Sequence, residues 1–329
     1  STLHHENKLS SHRKAWISAC EQFNESKAEE IVAEAFSQYP SEVVCVDLLL
    51  AGISAIGDAW CAGKVSVQQE HFASELVARR LNALIAGVTR PTHPDPIVIA
   101  SPPDEEHTLS SLLLTFLLRR QEWKIVYLGS NVPLENFRAT VELLEPGLVI
   151  LIAHQLFTAA NLLDIANDIV DLPCALAYGG LIFNCIPDLR RLILGNFLGT
   201  DWRATAQSVE RFIQNPAKKQ SVPQASPATY LNYFISMTPA IENCVNEEIV
   251  SNPAMQAFTI RHISRDVQAA LKLGDVCYLS KNLHWVRDLH ANSRMPPNIV
   301  NEFLLIYCRA AEEVLGSRGT SVINWIRSE

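Results

Sequence analysis

Three prolines within seven residues, in RPTHPDP at positions 90 to 96, separate two hydrophobic periods that cannot belong to one layer of structure. Before them, EEIVAEAFSQ, VVCVDLLLAGISAIGDAW and QEHFASELVARRLNALIAG carry apolar residues three and four apart, the spacing of helices. No alternation of strand type interrupts residues 11 to 90, so residues 1–92 are expected to form a four-helix bundle. After the prolines come PIVIAS, WKIVYLG, GLVILIAH, CALAYGG and NFLG, short apolar or β-branched runs separated by amphipathic stretches. Strands that are apolar throughout and alternate with helices imply a parallel sheet covered on both faces. Residues 93–214 are therefore expected to be an α/β Rossmann-like domain, with its ligand beyond the carboxyl ends of the strands. NPAKKQSVPQASPA supplies a polar linker over 215–228, and residues 229–329 return to helical spacing in a third, all-α unit.

Charge and cysteine usage narrow the classes. A net charge of −8 leaves no basic face to neutralise phosphates, which argues against direct binding of nucleic acid. The eight cysteines form no CxxC pair and no secretory leader precedes them, so reduced thiols in a cytoplasmic protein are expected. The most apolar stretch, Val43 to Trp60, is interrupted by Asp47 and Asp58 and reads as a buried helix rather than a membrane span.

Two local patterns carry chemistry. In WCAGKVSVQQEH, residues 60 to 71, Gly63 is placed to stop one helix, and Ser66 with Gln69 forms a capping box opening the next. Trp60 then ends one helix while Glu70 and His71 begin its neighbour, so the three side chains can line one mouth. In SPPDEEHTLSS, residues 101 to 111, the first strand-to-helix turn lacks the glycines of a dinucleotide site. It offers Glu105 two residues before His107: either a solvated helix start, or a carboxylate orienting a metal-bound imidazole. His154 ends the third strand. Gly179 and Gly180 end the fourth, where a missing Cβ lets a ligand or a backbone approach closely.

Taken together, helices followed by an acid-x-His turn and a Gly-Gly strand end resemble the cobalamin-binding modules of methionine synthase and its relatives. YLGSNVP (127–133) and GTDWRATAQSVERFI (199–213) look like that family's second-strand turn and last helix. Trp60, nine residues, then Glu70-His71 resembles the signature of the light-sensing adenosylcobalamin repressors. The resemblance implies that His107 is the lower axial ligand of cobalt and that the nucleotide tail runs past Gly179 and Gly180. It also implies that Trp60 and Glu70 cover the upper adenosyl group. Three positions depart from the pattern: Ser110 stands where glycine is usual, Ile152 where a serine is usual, and Cys61 where the repressors carry a histidine. Cys61 is open to two readings, a cobalt ligand or a small buried thiol, and His71 is the other imidazole nearby.

A cobalamin module followed by a degenerate globin-like unit is similar to the photocobilins, which imply a bilin such as biliverdin as second chromophore. His262, Tyr278, His284 and Trp285 are the groups that would line its pocket, with ordinary core packing as the alternative for each. The expected function is light sensing through adenosylcobalamin by a non-enzymatic protein. Its output would pass through a homo-oligomer, a dimer, or a separate effector partner. The rival is a corrinoid shuttle for methyl transfer.

Overall fold

The computed structural model describes residues 2–88, 90–215, 228–250, 260–281 and 299–328. Four helices come first: α1 (Thr2–Glu21), α2 (Glu25–Gln38), α3 (Ser41–Cys61) and α4 (Val67–Ala86). Asn24 caps α2 by accepting from the Lys27 amide. Helix α3 is continuous but widens into a π-turn over Val44–Leu50. Trp16 of α1, fully buried, lies so close to Gly52 of α3 that a Cβ there would meet its ring at 2.8 Å. Helix α3 has the length and apolarity of a membrane span. Its Val44, Cys45, Leu48, Leu49 and Ile56 are nevertheless packed in the protein core.

Gly63 takes the left-handed conformation, φ 63°, and ends α3. The Ser66 capping box opens α4, with Gln69 accepting from the Ser66 amide at 2.7 Å. Both follow from the local residues alone.

Strands β1 (Pro96–Ala100), β2 (Lys124–Gly129), β3 (Leu148–Ile152), β4 (Ala175–Gly179) and β5 (Asn196–Phe197) form one parallel sheet in the order β2-β1-β3-β4-β5. This is the flavodoxin-like doubly wound order, whose switch point lies between β1 and β3. The connecting helices are α5 (Leu109–Arg120), α6 (Phe137–Leu144), α7 (Leu156–Asp168) and, after β5, α8 (Trp202–Gln214).

Alternation along the strands divides the core in two. Ile97, Ile99, Leu148, Ile150 and Ile152 face α5, α8 and the first four helices. Val98, Ala100, Val149, Leu151 and Tyr178 face α6, α7 and the C-terminal helices. The last unit consists of α9 (Ala228–Ile249), α10 (Ile260–Leu273), α11 (Ile299–Leu315) and α12 (Thr320–Ser328). Its α10 packs on α7, and its interior is closed by Phe234, Ile241, Val245, Phe303 and Tyr307. The two helical units thus cover opposite faces of one sheet. The 215–228 linker expectation falls mainly on 216–227, outside the described residues.

Gly180 fixes the end of β4. Its φ is 115°, and a Cβ would lie 1.9 Å from the Ala153 carbonyl oxygen. Gly57, inside α3, has nothing within 4 Å of a Cβ position. Gly180→Ala is expected to destabilise the fold by at least about 2 kcal/mol, since both strain and overlap must be relieved. Gly57→Ala is expected to stabilise it by about 0.5–1 kcal/mol. Urea denaturation of the two variants beside the parent chain measures both.

Candidate functional site

The loop from β1 to α5 enters the sheet edge at the switch point. Ser101 donates its amide to the Gly129 carbonyl and accepts from the Val132 amide, which ties the loop to β2. Asp104 then turns with φ 66°, its amide held by the Asn131 side chain at 2.9 Å. Asn161 of α7 donates to the Pro103 carbonyl at 3.0 Å. This double anchorage turns Glu105 inward, where it is fully buried.

The Glu105 carboxylate accepts four hydrogen bonds. Oε1 receives the His107 amide at 3.1 Å and lies 2.6 Å from His107 Nδ1. Oε2 receives the His154 amide at 2.6 Å and the Thr158 hydroxyl at 2.7 Å. Burial pushes the carboxyl pKa up, but the His107 hydrogen bond and the neighbouring His154 outweigh it and bring the pKa to about 2. Glu105 is thus not part of a solvated helix start, since it is fully buried and α5 begins beyond it at Leu109, whereas the His107 side chain remains 56 % exposed.

The bond to Glu105 raises the pKa of His107 against the effect of burial, with further help from Glu70 and Glu106. With Nδ1 engaged by the carboxylate, Nε2 is the nitrogen left to meet a ligand, the arrangement that orients metal-bound histidines. His154 stands beside it, ring centres 5.2 Å apart. Burial lowers the His154 pKa to about 4, so the ring is neutral.

The first helical unit meets this site through α4. The Glu70 charge acts on His107, while its Oε1 accepts from Ser74 at 2.6 Å. Trp60 remains 40 % exposed at the end of α3. His71 is largely exposed, 3.9 Å from Glu70 through Nδ1. Cys61 is half-buried, and burial together with Asp58 raises its thiol pKa, so it is a neutral thiol rather than a thiolate. Helix α3 is fixed over the sheet domain by Arg203 to Asp47 at 2.7 Å and by Arg120 to Glu42 at 2.8 Å.

The glycines act differently from one another. Gly180 admits the β3 backbone rather than a ligand, and a Cβ on Gly179 would press Leu198 at 3.0 Å. Ile152 is buried in the core on the α5 side of the sheet.

Of the residues expected around a second chromophore, His284 and Trp285 lie outside the described residues. His262 stacks on Phe157 of α7, ring centres 6.2 Å apart, and Tyr278 is buried within range of the Asp188 and Arg191 charges. His262 therefore lies at the seam with the sheet domain, and Tyr278 is buried in the core cluster that the two share. The same seam holds Arg265 to Asp104 at 3.2 Å, next to the buried glutamate.

Sequence reasoning missed Thr158, Ser101 and Arg265. Gln155-x-x-Thr158 does have capping-box spacing, but nothing local shows that its hydroxyl also reaches a carboxylate 53 residues away.

A family model described as the B12 binding domain matches residues 13–85. The HTH-type transcriptional repressor CarH of Myxococcus xanthus is 26 % identical over 137 residues, 42 % of this chain and 46 % of the repressor. The chain thus spans about half the length of this curated relative. Among solved structures, the monomethylamine corrinoid protein of Methanosarcina barkeri superposes with TM-score 0.52 at 16 % identity. That match covers 60 % of this chain and 95 % of the other, and it establishes a common fold. A methanol:cobalamin methyltransferase complex from the same organism covers 65 % of this chain and 84 % of its own at 16 % identity, with TM-score 0.34. The family model, the match to the repressor and the shared fold with the corrinoid protein support a cobalamin-binding protein. The donor set fits such a group: a carboxylate-oriented imidazole open at Nε2, with the buried Ser101 hydroxyl and His154 Nε2 both unpartnered beside it.

Because its pKa is depressed, Glu105 contributes stability that is fully present above its unfolded value of 4.5 and is lost as pH falls towards about 2. The unfolding free-energy difference between the parent chain and Glu105→Gln is expected to shrink as the pH is lowered from about 6 to about 3. Denaturant titrations at each pH follow it.

Proposed function

We propose that the chain is a light-responsive sensor that holds adenosylcobalamin between its first helical unit and its sheet domain. The observation that carries the reading is geometric: the buried Glu105 carboxylate holds His107 Nδ1 at 2.6 Å and leaves Nε2 free at the switch point of the sheet, and Glu70 of α4 helps to raise the His107 pKa. His107 would hold the metal through Nε2, the nitrogen that Glu105 leaves free. Glu105 fixes its tautomer and raises its basicity, and Thr158 with the His154 amide fixes Glu105 in turn. Trp60, at the end of α3, covers the upper face and excludes water, with Glu70 as the hydrogen-bonding partner. Adenosylcobalamin, when bound, supplies a cobalt–carbon bond that light breaks. Trp60 is then free to repack, and α3 and α4 shift on the sheet as a two-state element. Cys61 remains a thiol neighbour of the lid, so no histidine adduct can form through that position.

The third unit, in this reading, holds a bilin at its seam with the sheet domain, and output passes through an oligomer change or a partner protein. Domain order supports the bilin, with His262 at that seam and Tyr278 in the shared core cluster. Expression with a biliverdin source is expected to add visible-to-far-red absorption that survives gel filtration. Truncation within residues 215–228 removes that band and leaves the cobalamin spectrum.

The corrinoid-shuttle reading shares His107 and differs at the lid, so the lid decides. His107→Ala is expected to abolish the base-off, histidine-on absorption spectrum; an unchanged spectrum overturns the axial assignment. Trp60→Ala is expected to bind cobalamin but to lose its preference for the adenosyl over the methyl form by about 2- to 10-fold, the worth of one aromatic contact. Equal preference in parent and variant, measured by calorimetry, favours the shuttle.

A further inference from the structure

We propose that α3 has two registers one residue apart and that its π-turn is the switch between them. The inference deepens the lid reading, on which it rests for what Trp60 covers; the switch itself belongs to the helix. Within the turn the Ala51 amide reaches the Val46 carbonyl, five residues back, so Val44–Leu50 holds one residue more than α-helical bonding would place there. Turns of this kind are rare and recur at functional sites. Closing it into α-helical bonding turns the second half of α3 by about 100° and moves it by about 1.5 Å along the axis, one residue's share of a helix.

The two halves of α3 are held unequally. The first is tied to the sheet domain by Glu42 to Arg120 and by Asp47 to Arg203, and Arg13 of α1 donates to the Asp47 carbonyl at 3.1 Å. Among the described residues, no side-chain hydrogen bond or ion pair holds residues 52–61, so packing fixes their register. Two contacts set it. Gly52 lies under the Trp16 ring, where a Cβ would stand at 2.8 Å, and Ile56 is 1 % exposed. In the other register each residue takes the place of the one after it. Ala51 then brings a methyl group to Trp16, and Ala55 replaces Ile56 in the core. Ile56 moves to the place of Gly57, where a Cβ has nothing within 4 Å. Trp60 withdraws into the half-buried place of Cys61, leaving Ala59 in its stead. The residues that replace Gly52 and Ile56 are both alanine, so no bulky side chain is driven into the core. Exposing Ile56 costs about 10- to 100-fold in population, which keeps the second register minor. A group packed under Trp60 favours the present register further, and its loss shifts the balance by that contact's worth.

The test is hydroxyl-radical footprinting of the full chain without cofactor, read by mass spectrometry at Ile56 and Trp60. The chains compared are the parent, Gly52→Ala, a chain lacking Val46, and the two changes combined. Gly52→Ala penalises the present register alone, since in the other Ala51 already meets Trp16. Overpacking of this kind weighs about 5- to 100-fold, so Ile56 labelling is expected to rise by that order while Trp60 labelling falls. General loosening would raise both. Removing Val46 takes out the extra residue, so the turn closes with Gly52, Ile56 and Trp60 in place and one register remains. That chain is expected to label less than the parent at Ile56, and Gly52→Ala added to it is expected to give no opposed change. Labelling that rises at both residues in Gly52→Ala, that changes at neither, or that rises at Ile56 when Val46 is removed, overturns the switch. The last of these decides even where Gly52→Ala does not fold. With adenosylcobalamin, the opposed change is expected in the parent after green light and not in the chain lacking Val46. A response to light without it overturns the switch as the mechanism of the lid. If the parent neither binds nor responds, the light reading falls, and the cofactor-free footprint still decides the switch.

Discussion

A single buried carboxylate joins the parts of this molecule that are far apart in sequence. Glu105 collects the His107 ring, the His154 amide at the end of β3, and the Thr158 hydroxyl on α7. An ionised carboxylate enclosed by protein is expensive unless all of its lone pairs are met. Here four donors meet them, and the pKa falls rather than rises. The cost of burying the charge is what fixes the geometry. A shift of the loop, of β3 or of α7 would strand part of it, so the three move together or not at all. His107 inherits that rigidity at one remove.

The sheet accounts for the reach of the arrangement. Parallel strands with alternating faces bury one set of side chains towards the first four helices and the other towards α7 and the C-terminal unit. The loop between β1 and α5 emerges at the edge common to both faces. From one side, Glu70 acts on His107; from the other, Arg265 pairs with Asp104. Both members of the latter pair are part-exposed, so it is worth at most about 1 kcal/mol. The docking of the C-terminal unit must instead come mainly from apolar packing of α10 on α7, with His262 stacked on Phe157.

What was legible in the sequence was what depends on near neighbours. The period change at RPTHPDP, the left-handed stop at Gly63 and the Ser66–Gln69 capping box are decided within a few residues. Glu105 and His107 stand two apart, so their contact is a matter of one turn. The rest of the cluster was hidden because it depends on strand order. Placing β3 beside β1 brings His154 and Thr158 to Glu105 across about fifty residues, and hydrophobic period does not encode that neighbourhood. The Gly-Gly pair shows the same limit. Sequence indicates that a Cβ is excluded, but only the fold shows that the intruder at Gly180 is the Ala153 carbonyl.

Rigidity around His107 and looseness at Trp60 form one consistent design. His107 is held by Glu105, which is itself bonded to the end of β3 and to α7, whereas Trp60 sits at a helix end with two-fifths of its surface open. The residues after it, through Gly63 to Ser66, form the short connection between α3 and α4. Helix ends and connections open with little free energy, while buried networks do not. A change at Trp60 can therefore be absorbed by α3 and α4 without disturbing Glu105. The 101–108 loop and α7, which contact α10, are two elements that can carry such a change to the C-terminal unit. Both are anchored to the same carboxylate.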